Sequence, residues 1–137
     1  VTGVGLSAGG LFARPGGASA AERLVEGDRR ARDLALFGRG LTGIRPRRDG
    51  WQLVRQDGAG LWQPEGAALR IEGARINWRI AGQSHLPGLT EPSPRDAPPI
   101  QIGPEGPSTP FSVGLDLGRD RLACAAPSGQ ELRCAAE

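Results

Sequence analysis

Lysine, tyrosine and methionine are absent from this chain of 137 residues, and asparagine occurs once, at Asn77. Every basic side chain is therefore an arginine, which lifts the calculated pI to about 9.0 although the formal net charge is only +2. Such a bias reflects a GC-rich genome rather than a function, and so small a charge spread along the chain is not a nucleic-acid footprint. Long hydrophobic runs are missing too. No stretch approaches the roughly 20 apolar residues that span a bilayer. The nearest is "VTGVGLSAGGLFA", Val1 to Ala13, which is short, rich in Gly and preceded by no basic residue, so it is not an intact signal peptide. Two expectations stay open for it: a flexible tail, or the downstream end of a membrane helix whose start has been cut away. An opening on Val1 rather than Met is what a processed or truncated product would show. The length fits one domain with a modest core.

Reactive chemistry is just as sparse. His85 is the only histidine and stands in a Pro-rich stretch without a second histidine or a neighbouring cysteine, which is too little for a metal site. Asp116 and Asp120 in "GLDLGRDRL" lack the alternating carboxylates of a calcium loop and read as turn residues. Ser84, Ser112 and Ser128 have no general base within reach of a sequence argument. "GVGLSAGG" is no dinucleotide fingerprint, since no strand precedes it and no βαβ unit follows. Trp51, Trp62 and Trp78 fall at strand positions and read as packing. An enzyme would need a carboxylate pair such as Glu105 and Asp116 brought into a cleft. The expectation is a chain with no catalytic residue, metal, cofactor or small-molecule substrate.

Two cysteines remain. Cys124 and Cys134 lie in "RLACAAPSGQELRCAA", where Pro127-Ser128-Gly129 reads as a turn between short strands that would bring the thiols together. A disulfide would mean an oxidising compartment such as a periplasm, and two reduced thiols a cytosolic hairpin. The sequence leaves both open.

What the chain does have is one helical period followed by many short alternating runs. Ser19 reads as a helix cap with Glu22 three residues on. In the run that follows, Ala20, Leu24, Gly27, Ala31, Leu34 and Gly38 recur every three or four residues as a narrow stripe of mostly small side chains. Glu22, Glu26, Arg29, Arg32 and Asp33 lie off it. The helix is expected over about 19–38, with Gly38 and Gly40 as its stop. From Leu41 the pattern is β. "LTGIRPR" and "WQLVRQD" flank a turn at Asp49-Gly50, followed by "GLWQP", "ALRIEG" and "ARINWRI". Ala81 to Pro99 is a long Pro-rich connection without periodicity, and further short runs end in the cysteine hairpin. One helix and then about eight strands make an α+β chain.

With that order in place the sequence resembles a known family. "RARDLALFGRGLTGIRPRRDGWQLVRQDGAGLWQP", Arg30 to Pro64, is similar to the helix-to-first-hairpin region of GspH-type minor pseudopilins of type II secretion and of the related FimT-like minor pilins. "IQIGPEGPSTPFSVGL", up to Leu115, resembles the family's C-terminal signature of a strand, a "P.G" turn, "TPF" and another strand. The resemblance implies a pilin-like fold with one N-terminal helix packed against two antiparallel sheets. In the chain this would be a globular domain over 18–137, with 1–17 as the truncated membrane-helix end or tail. It implies a structural subunit at or near the pseudopilus tip, a periplasmic domain of an inner-membrane-anchored protein held by a missing N-terminal helix. Its partners would be other pseudopilins. The family's cleavage site, methylated Phe and fifth-position Glu have no counterpart here.

On that resemblance Gly103-Pro104-Glu105-Gly106 is expected to be a structural turn, with Thr109-Pro110-Phe111 opening a strand and Phe111 entering the core. Leu24, Ala31 and Leu34 on the helix stripe, together with the Ala81–Pro99 loop, are the expected subunit contacts. The alternative function is a FimT-like pilin that binds DNA for uptake through Arg119, Arg121 and Arg133. Nucleic acid is the disfavoured partner, because Asp116, Asp120, Glu131 and Glu137 lie among those arginines.

Overall fold

The computed structural model describes residues 15–38, 40–88, 92–103, 108–127 and 130–136. Val1–Ala13, positions 89–91 of the Pro-rich connection, Pro104–Gly106, Ser128, Gly129 and Glu137, each within a stretch named above, lie outside the described residues. Helix α1 runs from Pro15 to Phe37. A proline in the first turn costs no hydrogen bond, since the leading amides of a helix have no intrahelical acceptor. The helix therefore starts ahead of the cap read from the sequence, and Ser19 is an exposed residue within it. It stops where the Gly38 N–H bonds to the Leu34 carbonyl at 2.7 Å.

Ten strands follow among the described residues: β1 (Thr42–Arg47), β2 (Gly50–Gln56), β3 (Trp62–Pro64), β4 (Leu69–Arg70), β5 (Arg75–Ile80), β6 (Gln83–His85), β7 (Ile100–Ile102), β8 (Phe111–Asp116), β9 (Arg121–Ala126) and β10 (Arg133–Ala136). They form two antiparallel sheets. The first has the order β3-β2-β1-β7, with β4 also on β2, and the second has the order β10-β9-β8-β5-β6. The helix touches β1 and β7 of the first sheet and β9 and β10 of the second. It therefore spans the opening between the two inner faces.

Those inner faces follow from period-two alternation. β8 reads buried at Phe111, Val113 and Leu115, and β9 at Leu122, Cys124 and Ala126. At the centre, Trp51 of β2 meets Trp78 of β5 with ring centroids 6.0 Å apart, and Trp78 meets Phe111 at 6.2 Å. From the helix, Ala20, Ala21, Leu24, Asp28, Ala31 and Ala35 are buried against them. Small side chains let the helix axis come close. A Cβ added to Gly27 would stand 2.5 Å from Trp51 Cζ2, so only glycine leaves the indole its place.

Two features differ from the sequence reading. Ala81 is not the start of an irregular loop: Ala81-Gly82 is a two-residue turn, φ 52 and 82, that joins β5 to β6. Two consecutive positive φ values suit the twist of a hairpin, but alanine is a poor sequence signal for them. Residues 92–99 of the Pro-rich connection lie over the outer side of the first sheet. The Trp62 N–H donates to the Pro94 carbonyl, and Arg45 donates to the carbonyls of Ser93 and Asp96. Pro98 is buried over Gly43, where a Cβ would collide with its ring. This strap is thus held by the Trp62 amide, Arg45 and Gly43, so part of the loop expected to face other subunits is spent on its own sheet.

Cys124 and Cys134 face each other across β9 and β10 and form a disulfide. It closes a loop with a sequence separation of 10, so its reduction is expected to cost about 2–3 kcal/mol. Urea unfolding with and without reductant measures this. An unchanged midpoint would mean that the hairpin holds without its covalent tie.

Candidate functional site

The polar groups are placed for structure before anything else. His85 sits on β6 opposite Trp78, half-buried. No group of three His, Cys, Asp or Glu among the described residues is arranged to hold a metal ion. Asp116 Oδ1 accepts the Gly118 N–H at 2.9 Å and Oδ2 lies 3.8 Å from Arg121 Nε, as a carboxylate supporting a turn does. Asp57 works in the same way in the β2–β3 turn. The N–H of Leu61 foremost, and then the Gln63 amide, stabilise its ionised form and hold its carboxyl below the ordinary 3.8. A lowered carboxyl supports the fold above its unfolded value, and that support fades as the pH falls through the folded one.

Asp28 is the charged residue the sequence reading missed. It is 1% exposed on the inner side of α1. Its Oδ2 accepts the Leu132 N–H and Arg32 Nε, both at 2.9 Å, and Arg32 Nη1 continues to Ser108 Oγ at 3.1 Å. One carboxylate thus ties the helix to the root of β10, and its arginine ties the helix to the segment before β8. The available signal was spacing: Asp28 is four residues after Leu24 and three before Ala31, on the buried stripe itself.

Surfaces available to partners lie elsewhere. Leu24 and Ala31, two of the three expected contacts, are 1% and 0% exposed against the chain's own strands, so neither can be touched by a partner while the helix is seated. Leu34 is half-buried on the rim of an open groove of about 570 Å³ along the outer flank of the helix, beside Phe37 and Gly38. Leu36 and Phe37, adjacent in the last turn of the helix, are exposed at 62% and 78%. A neighbouring groove of about 370 Å³ has Trp51 and Leu53 in its wall and Arg23, Arg30 and Glu65 on its edge.

Arg119, Arg121 and Arg133 do not converge. Arg119 is in the β8–β9 turn, and Arg121 opens β9 beside Asp116. Arg133 pairs with Ala125, about 13 Å further along that strand at 3.3 Å per residue.

A helix laid across the mouth of two antiparallel sheets defines the class: this is the pilin-like α+β fold. It is the fold of GspH-type minor pseudopilins. EpsH, the minor pseudopilin of the Vibrio cholerae type 2 secretion system, superimposes with a TM-score of 0.67 at 16% identity, over 88% of this chain and 97% of that one. A second structure of EpsH gives 0.67 and 16% over 86% and 94%. The solution structure of Escherichia coli GspH gives 0.53 and 16% over 91% and 94%. No family model and no curated protein matches the sequence. Among the described residues, no helix is long and apolar enough to cross a membrane.

Proposed function

We propose that the chain is a minor pseudopilin of a type II secretion system, a structural subunit at or near the tip of the pseudopilus that helps drive folded proteins across the outer membrane. The observation that carries this reading is the match over 97% of EpsH, helix and both sheets together, at a TM-score of 0.67. Its partners are then other pseudopilins, and the domain is periplasmic, hung from the inner membrane by a preceding helix. The disulfide suits that compartment. The work is assembly rather than catalysis. A rigid body presents surfaces to its neighbours, and fibre growth does the moving.

The contact on the helix then falls on its outer flank. Leu34 and Phe37, one turn apart beside the open groove, replace Leu24 and Ala31 in that role. Deleting the gene in its host is expected to abolish release of exported enzymes while leaving transformation by DNA unchanged. Re-expression of Phe37→Asp should give less than a tenth of wild-type secretion, with the melting temperature within about 2 °C, as for a surface change. Normal secretion in the deletion strain, or loss of transformation instead, would replace export by DNA capture as the function.

A further inference from the structure

The outer face of the second sheet carries four arginines around a floor of small side chains. Strict alternation turns Arg75, Asn77 and Arg79 of β5 away from the core, and does the same for Arg121, Ala123 and Ala125 of β9. The strand register sorts these residues into rows running across the sheet. Arg75, Asp116 and Arg121 form one row, and Arg79, Ser112, Ala125 and Arg133 form another. Between them lies the row Asn77, Gly114, Ala123 and Ala135. From β8 to β10 that middle row offers nothing larger than a methyl group. The result is a shallow trough across the strands with guanidinium groups on both banks.

The dimensions and charge of the trough select its occupant. The two arginine rows are four residues apart along each strand, about 13 Å, and an α-helix with its side chains is roughly 10–12 Å across. The guanidinium groups of Arg75 and Arg133 have no hydrogen-bond or ion-pair partner among the described residues. Arg79 spends one donor on the Gly82 carbonyl at 3.1 Å, and Arg121 is shared with Asp116. We propose that this trough docks one helix of a partner protein, with carboxylates along both flanks of a small-residue apolar strip. The strip covers Gly114, Ala123 and Ala135, and the flanking carboxylates reach the arginines, for which Arg forks are suited. A polynucleotide fits less well, because no aromatic side chain among the residues of these rows offers a base a stacking surface. The surface is argued from the sheet alone and goes beyond the export reading.

The test uses the whole folded chain, labelled with ¹⁵N, and a lactam-stapled helix bearing an alanine strip flanked by glutamates. Saturable shifts at the amides of Gly114, Ala123 and Ala135 are expected. Affinity should fall at least about tenfold in Arg79→Glu/Arg133→Glu, as for paired charges lost at an interface, and a helix with lysine in place of glutamate should restore it. Both sites are exposed, so circular dichroism should show an unchanged fold. The proposal is overturned by absence of saturable shifts, by shifts mapping elsewhere, or by equal binding of a glutamine-flanked helix. It is also overturned if a short DNA duplex binds the same amides more tightly than the acidic helix, which would assign the face to nucleic acid.

Discussion

Replacing Asp28 by alanine is expected to lower the unfolding free energy by about 3 kcal/mol and the melting temperature by roughly 10 °C for a chain of this size. The carboxylate is buried and holds two donors through one oxygen, the Leu132 N–H and Arg32 Nε, each at 2.9 Å. Its removal leaves a buried amide without an acceptor and a guanidinium, 17% exposed, whose remaining hydrogen bond among the described residues is to Ser108. Asp28→Asn keeps an acceptor for Leu132 and should cost about half as much. The second oxygen, Oδ1, and Arg32 Nη2 are themselves buried without hydrogen-bond partners among the described residues, so the pair stabilises less than either single loss suggests. Removing both charges in Asp28→Leu/Arg32→Leu should therefore cost less than the two single substitutions summed. Hydrogen exchange gives the local readout: the Leu132 amide should lose protection in Asp28→Ala, because the root of β10 comes free from the helix. A stability within about 0.5 kcal/mol of the parent, the range of an ordinary surface change, would show that the helix is held by packing alone.

How far the sequence carried this architecture depends on which interactions each residue makes. The alternating strands were legible. Phe111, Val113 and Leu115 on β8 are buried and face Trp78 and the disulfide strand, as period two requires. The cysteine pairing was half-legible, because a turn between short strands brings residues together but does not fix their register. The observed register puts Cys124 opposite Cys134. Hydrophobic periodicity puts Gly27 and Leu34 on the helix stripe. Those positions are the shoulders, and the buried line runs Leu24, Asp28, Ala31, Ala35. A charged residue on an apolar stripe is discounted by hydrophobic periodicity, yet it is tolerated here because Arg32 pairs its charge and the root of β10 offers an N–H donor. The Pro-rich connection was unreadable for a different reason. Its strap is held by backbone carbonyls of Ser93, Pro94 and Asp96, and backbone acceptors leave no mark in side-chain identity. The arginine-banked trough was invisible for a third reason. Arg75 and Arg79 of β5 are far along the chain from Arg121 of β9 and Arg133 of β10, and only the strand order places them on one face.

Trp51→Ala is expected to be the most damaging single change in the core, costing about 4–5 kcal/mol. The indole is 1% exposed, its ring centroid lies 6.0 Å from that of Trp78, and its edge fills the space left by the missing side chain of Gly27. The same geometry predicts a change of sign at position 27. In the parent chain Gly27→Ala sets two effects against each other. Alanine gains about 1 kcal/mol in helix propensity, but its Cβ would stand 2.5 Å from Trp51 Cζ2 and 3.0 Å from Nε1, and overpacking a core of this kind costs about 1–3 kcal/mol. A ring wedged between the helix and Trp78 has little room to retreat, so the overlap wins and Gly27→Ala destabilises by about 1 kcal/mol. Once the indole is gone only the propensity remains. Gly27→Ala should then stabilise Trp51→Ala by about 1 kcal/mol, and the cycle closes with a coupling of about 2 kcal/mol. Urea titration of the four proteins measures each corner. If Gly27→Ala shifts stability equally in both backgrounds, the close approach of helix and sheet at this point does not set the residue, and the seating of α1 on Trp51 described above is wrong.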